Sequence, residues 1–291
     1  MNQKLNKWCA ACVVGLALTS TGTSAFARDI VMGLIPAENN EEMIAKFEPM
    51  RAHLEKKLGQ KVKLYTATDY SGVIEAMKKK RVDIAWFGPL SYVLAEQEAG
   101  AEAFAVGVGE NGKSSYHAMI TVPGDSPAKS LMDLKGKSMA FVDPASTSGS
   151  LMPSYMVKQA TGMMPEQFFG KSIYAGSHDA TQMAVKNKTV DAGAVADNVY
   201  EKMMDKGLIT SDSNRVLLKS PAIPGSPLTY RKDLQAALKK QIQDAMVNAH
   251  NEIAVSGFGK LTRYDAAAPA DYQPIRDMVR ELGLKKEQML K

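Results

Sequence analysis

Two stretches of this chain repeat one another. Residues 67–85 and 175–193 align without a gap at an offset of 108, with Ala76 against Ala184, Lys78 against Lys186, Lys80 against Lys188, Val82 against Val190 and Asp83 against Asp191. Each reads as the end of a strand, a turn, a helix and the start of a second strand. Such a unit lays strands side by side through right-handed helical crossovers. Its repetition within 291 residues points to two α/β lobes, at roughly 100–200 residues per domain. The offset also sets Tyr70 opposite His178, each in the first turn of its helix and beyond the carboxyl end of the strand before it. Ligands of open α/β sheets gather there. Two lobes facing one another would bring both side chains to a single cleft.

A second feature belongs at that cleft. Asp143-Pro144-Ala145-Ser146-Thr147-Ser148-Gly149 follows the strand-like run Met139-Ala140-Phe141-Val142 and precedes a helical stretch that Gly162 stops. A helix start leaves backbone N–H groups without partners and carries partial positive charge, so hydroxyls placed there suit a small oxyanion. One hydroxyl is enough for an ordinary N-cap. Three in succession, followed by glycine, are more than capping requires.

Along the chain, residues 29–36 and 62–65 read as strands on either side of an amphipathic helix over 41–58, with Phe47, Met50, Leu54 and Leu58 at helical spacing. Residues 82–87 have the continuous apolar character of a strand covered on both faces. Residues 103–109 and 115–122 read as a hairpin across the Asn111-Gly112 pair. Residues 214–227 hold three prolines and suit an extended segment returning to the first lobe. Two more helices follow, one with Leu234, Leu238, Ile242 and Met246, the last with Ile275, Met278, Val279 and Leu282. The lobes are therefore expected at 28–115 with 215–291, and at 116–214.

The first 27 residues have Lys4 and Lys7, an apolar stretch and the small-x-small ending Ala25-Phe26-Ala27, the pattern of a cleaved secretory signal. The Thr/Ser/Gly run over 19–24 interrupts it too early for a membrane anchor. The mature protein is thus expected to be exported, to the periplasm on the resemblance below. Cys9 and Cys12 both fall within this leader, so disulfides and thiolate chemistry are excluded from the mature chain. The leader takes two of 36 Lys/Arg and none of 31 Asp/Glu. The small positive excess that remains is interspersed and forms no stripe suited to nucleic acid.

With the repeat, the hydroxyl turn, the leader and Ser220-Pro221-Ala222-Ile223-Pro224-Gly225 in hand, the chain resembles the periplasmic phosphonate-binding component of an ABC importer, the PhnD-type family. Further collinear pieces are Thr68-Asp69-Tyr70-Ser71-Gly72, Val82-Asp83-Ile84-Ala85-Trp86-Phe87-Gly88 and Ala175-Gly176-Ser177-His178-Asp179-Ala180. The resemblance spans essentially the whole mature chain. It implies an α/β fold of the two-lobed periplasmic-binding-protein kind, type II-like, with a ligand cleft between the lobes, and capture of a phosphonate such as methylphosphonate, or of phosphite. It implies an ABC permease and an ATPase as partners, a monomer, and no cofactor. The family holds its oxyanion with residues that match Tyr70, Tyr116, Ser146, Thr147, Ser148 and His178.

Members that hold an aminoalkyl-phosphonate have acidic residues where this chain has Asn198 and Ser226. Asp197 stands next to Asn198, but on a strand an adjacent carboxylate points to the opposite face. A buried ammonium without a carboxylate is costly. Small uncharged substituents on phosphorus are expected, with Asp197 and Asn198 as further site candidates. If a protonated His178 donated to the anion, affinity would fall as pH rises.

The plainer readings of these residues are an N-cap for the serines, a surface cap for His178 and core positions for Tyr116 and Trp86. His53 reads as a surface-helix residue, and His117 and His250 lack partners at metal spacing, so no metal site is expected. No Gly-x-x-x-x-Gly-Lys-Ser/Thr or Gly-x-Ser-x-Gly motif occurs. Asp179 adjoins His178 too closely to orient it toward Ser148. A binding protein is expected rather than an enzyme; the competing classes are a binder of another oxyanion, such as sulfonate or nitrate, and a secreted phosphoester hydrolase.

Overall fold

The structure, a computed structural model, describes residues 28–290, and the expected leader lies outside them. Strands and helices alternate through β1 (Ile30–Leu34), α1 (Asn40–Leu58), β2 (Val62–Thr66), α2 (Tyr70–Lys78), β3 (Ile84–Trp86), α3 (Pro89–Ala99) and β4 (Ala101–Gly109). Next come β5 (Ser115–Pro123), β6 (Ser138–Phe141), α4 (Met152–Thr161), the short α5 (Pro165–Phe168), β7 (Lys171–Tyr174), α6 (His178–Lys186), β8 (Ala192–Ala196), α7 (Asp197–Asp205) and β9 (Asn214–Pro224). Then follow β10 (Pro227–Arg231), α8 (Ala236–Val247), β11 (Leu261–Ala266), α9 (Gln273–Glu281) and α10 (Lys286–Met289).

The strands form two sheets, β11-β4-β10-β3-β1-β2 and β7-β6-β8-β5-β9. In each, three parallel strands meet an antiparallel one that has just arrived from the other lobe, β10 beside β3 and β5 beside β8. The fold is two-lobed α/β.

The repeat in the sequence is a repeat in space. Asp69 caps α2 by accepting from the Gly72 N–H at 2.8 Å, and Ser177 caps α6 by accepting from Ala180 at 3.4 Å. Both helices are followed by a lysine in the left-handed region, Lys80 at φ 58° and Lys188 at φ 55°. The repeated aspartates then tie each turn to the neighbouring parallel strand. Asp83 accepts from the Val31 N–H at 3.0 Å and Asp191 from the Ser138 N–H at 2.8 Å. The shared Val-Asp is therefore a bracket that fixes where the third strand of each sheet begins.

Two sequence expectations are corrected here. β4 and β5 do not form a hairpin: they lie in different sheets, and the Asn111-Gly112 turn is the first crossing between lobes. Residues 214–224 are not a crossing segment either, since Asn214–Pro224 pairs along β5 as an edge strand of the second sheet. An edge position tolerates Pro221 and Pro224, whose missing N–H groups would break an interior ladder. By sheet membership the return to the first lobe thus comes at 225–226 rather than at 215. The two crossings touch, with the Gly225 N–H donating to Ser114 O at 2.8 Å. A Cβ on Gly225 would stand 2.8 Å from that same oxygen, so only glycine lets the crossings lie this close.

The larger core lies in the first lobe, where α1 lays Met43, Phe47, Met50 and Leu54 against the sheet. Each such side chain contributes about 1.5–3 kcal/mol by leaving water. His53, expected at the surface, is buried, with its Nε2 2.9 Å from the Ala245 carbonyl of α8. No helix among the described residues is long and apolar enough to cross a membrane.

Candidate functional site

The hydroxyl turn begins α4 in an unusual way. Residues Thr147–Leu151 form a π-turn, with the Leu151 N–H bonded to the Ser146 carbonyl at 3.0 Å. A start of this kind leaves the N–H groups of Thr147 and Ser148 ahead of the first backbone donor of the turn, Leu151. Gly149 makes it possible, because a Cβ there would lie 2.3 Å from Val142 Cβ and 2.8 Å from Ser146 Oγ. Ser146 uses its oxygen to accept from the Gly149 N–H at 3.1 Å, and the Tyr70 phenol faces its hydroxyl. Ser148 and Thr147 face the Tyr116 phenol.

Thr147 also joins the lobes. Helix α3 starts after Gly88, which has no side chain to cap it. Thr147 Oγ1, reaching from the opposite lobe, accepts from the Leu90 N–H at 2.8 Å and supplies that cap. The hydroxyl can still donate, and the Tyr116 phenol lies within its reach. A second backbone bond crosses the cleft, from the His178 N–H to the Ala37 carbonyl at 2.9 Å.

His178 is fully buried, and its Nδ1 accepts from the Ala196 N–H at 3.1 Å. That bond places the ring proton on Nε2, so the neutral imidazole is a donor. Burial pushes its pKa down to about 4 from 6.5, against the opposing pull of Glu38 and Asp179. Binding that needs a protonated His178 is therefore not the arrangement found. Burial raises both phenols as well, Tyr70 well above 10, with the Asp143 charge adding to it, and Tyr116 to about 12. All are neutral donors at physiological pH.

Tyr70, Tyr116, Ser146, Thr147, Ser148 and His178 line one small cavity of about 10 Å³ between the lobes. That is room for roughly one water, so the walls must part as a tetrahedral anion enters. Asp197 and Asn198 stand outside it, on the wall of a neighbouring cavity of about 570 Å³. They are the first two residues of helix α7 and not part of a strand, so the alternation of strand faces does not apply to them. The Asp197 carboxylate accepts from the N–H groups of His117 at 3.1 Å and Asn198 at 2.9 Å, and faces His117 Nδ1 at 2.9 Å and Lys219 Nζ at 3.3 Å. Its lone pairs are directed to protein groups.

Sequence reasoning missed the residues that close the cleft. Glu38, in the first lobe, is buried and pairs with Lys46 and with Lys202 of the opposite lobe. Glu42 pairs with Lys202 at 2.6 Å and Lys206 at 2.8 Å, which hold its carboxyl down at about 2. Phe258 lies against the cage, and Lys46 Nζ stands 5.3 Å from the centre of its ring. The sequence Gly257-Phe258-Gly259, an aromatic between two glycines, was the available signal. Trp86, read mainly as core, lines both cavities.

A family model described as "ABC transporter, phosphonate, periplasmic substrate-binding protein" matches residues 32–272. The phosphonates-binding periplasmic protein of Escherichia coli is 36% identical over 220 residues, 74% of this chain and 64% of that protein's length, so the match spans less than two thirds of that relative. The phosphate-import protein PhnD of Mycolicibacterium smegmatis is 35% identical over 235 residues, 75% of this chain and 73% of its own. Among solved structures, PhnD1 of Prochlorococcus marinus in complex with methylphosphonate superposes with a TM-score of 0.79 at 25% identity, covering 88% of this chain and 98% of that one.

Proposed function

This chain belongs to the family of periplasmic substrate-binding proteins of phosphonate ABC transporters, and on that premise we propose that it captures a small phosphorus oxyanion between its lobes. The ligand is a phosphonate such as methylphosphonate, or phosphite, and it is handed to a membrane permease driven by an ATPase. The protein works in the periplasm as a monomer and leaves its ligand chemically unchanged. The observation that carries this reading is the convergence of six neutral donors from both lobes on one cavity. Donors aimed at charged oxygens are worth about 1.5–3 kcal/mol each, and a cage without Lys or Arg discriminates by direction rather than by charge. Methylphosphonate on a solved relative and phosphonates in the name of another support the ligand class.

A thermal-shift panel of methylphosphonate, phosphite, phosphate and an alkanesulfonate tests it. The first two should raise the melting temperature, by linkage of about 2.7 kcal/mol at a hundredfold excess over Kd, and should be recovered intact. A shift with sulfonate alone, or turnover of a phosphoester, would overturn the reading.

The tautomer of His178 sets the pH behaviour. With Nδ1 occupied and the pKa at about 4, affinity should stay flat between about pH 6 and 8 once the ligand's own ionisation is accounted for. Stability should not. Its folded pKa lies below the 6.5 of the free side chain, so the unfolded chain binds the proton first. The contribution is complete above the unfolded pKa and is lost as pH falls toward the folded one, about 3 kcal/mol in all. Chemical denaturation of the parent and of His178→Gln across that window should show a slope that only the parent has.

A further inference from the structure

The small cavity and the large one share part of their wall, at Trp86, Tyr116, Ser226 and Phe258. Trp86 and Tyr116 are held in strands β3 and β5, and Ser226 in the second crossing. Phe258 lies in none of these, in the connection that leads into β11. Its ring centre is 5.0 Å from that of Trp86 in the first lobe, and 6.3 Å and 6.0 Å from those of Tyr116 and His178 in the second. The backbone on either side admits no simple alternative. A Cβ on Gly257 would meet Tyr264 Oη at 2.6 Å, and Gly259 has φ +98° against the Asn198 side chain. Lys260 then pairs at the surface with Asp205 of the second lobe at 3.0 Å.

The lining of the small cavity is divided by chemistry. Hydroxyl, phenol and imidazole donors make up one part, and Ile35, Ala37, Trp86, Gly88 and Phe258 the other. A tetrahedral phosphorus anion whose oxygens meet the donors presents its remaining substituent to the apolar part. Behind that part the larger cavity carries charges of both signs, among them Glu38, Lys46, Asp197, Lys202 and Lys219.

We propose that Phe258 is the specificity-determining partition of the site: its ring closes the cage toward the larger cavity and restricts the ligand to phosphorus oxyanions whose non-oxygen substituent is hydrogen or methyl. This rests on the reading of the cage as an oxyanion site. Removing the ring joins the two cavities and gives longer alkylphosphonates a path for their chains.

Calorimetric titration with phosphite, methylphosphonate, ethylphosphonate and butylphosphonate tests it on the mature chain and on Phe258→Ala and Phe258→Leu. The parent should lose roughly 10-fold or more in affinity for each methylene beyond methyl. In Phe258→Ala the ratio of the butylphosphonate Kd to the methylphosphonate Kd should fall by about 1,000-fold, the discrimination carried by the three methylenes that separate them, with Phe258→Leu between. The ratio is read within one protein, so a general weakening cancels, and the leucine variant keeps an apolar side chain should the alanine variant fold poorly. A parent that binds methylphosphonate, with the same ratio in the parent and in each folded variant, overturns the partition alone. So does a parent that binds butylphosphonate as tightly as methylphosphonate. A parent that binds none of the four overturns the oxyanion reading and the partition with it.

Discussion

Thr147→Val should lower the affinity for methylphosphonate by about two orders of magnitude or more, while Thr147→Ser should restore most of it. The threonine hydroxyl has two tasks at once. Its oxygen accepts from the Leu90 N–H of the opposite lobe at 2.8 Å, and its proton is available to an anion in the cage. Valine keeps the shape and removes both. The lost donor to a charged oxygen costs about 1.5–3 kcal/mol, and the Leu90 N–H left unpaired when the lobes close costs a further 1–3 kcal/mol or so. Together these correspond to a factor of roughly 70 at the least. Only the closed form suffers, because in the open form water reaches the Leu90 N–H. Valine should therefore leave the melting temperature of the unliganded protein nearly unchanged and remove most of the ligand-induced shift. If calorimetry finds Thr147→Val within threefold of the parent, the hydroxyl does not couple the ligand to closure.

The second large effect is expected at Gly149. A methyl group there meets Val142 at 2.3 Å and the Ser146 hydroxyl at 2.8 Å, and neither can withdraw easily. Val142 is wholly buried, and its N–H is bonded to the Gly149 carbonyl at 2.9 Å. Gly149→Ala should destabilise the protein by about 3 kcal/mol, as overpacked cores do, or roughly 6–12 °C in melting temperature. The π-turn should be lost with it, and binding should become undetectable in the thermal-shift panel. A variant that melts with the parent and binds normally would mean that the turn relaxes around the methyl group.

Much of this arrangement was legible in the residues themselves. The offset that pairs Tyr70 with His178 gave both helix starts, because capping residues and the Val-Asp bracket are local features that sequence states directly. The hydroxyl turn was readable for the same reason. What failed depended on partners distant in sequence. Asn111-Gly112 marks a tight turn whether the flanking strands pair with each other or part into different sheets, and only the sheets decide. Pro221 and Pro224 argue against an interior strand but not against an edge one, and β9 is an edge. Asp197 was assigned to a strand because the apolar run Ala192–Ala196 gives no sign that a helix begins at its end. Phe258 reaches the site from the last third of the chain, where no periodicity announces it.

The ion pairs across the cleft involve none of the six residues of the cage. Lys202 of α7 and Lys206, just past its end, hold Glu38 and Glu42 of the opposite lobe. Their free energy is gained on closure whatever lies in the cage. How long the lobes grip and what they choose to grip are thus settings on separate dials, one turned by lysines at the rim and the other by hydroxyls within. A lineage could lengthen or shorten the dwell time of its ligand by exchanging charges on α7 and never alter which anion it recognises.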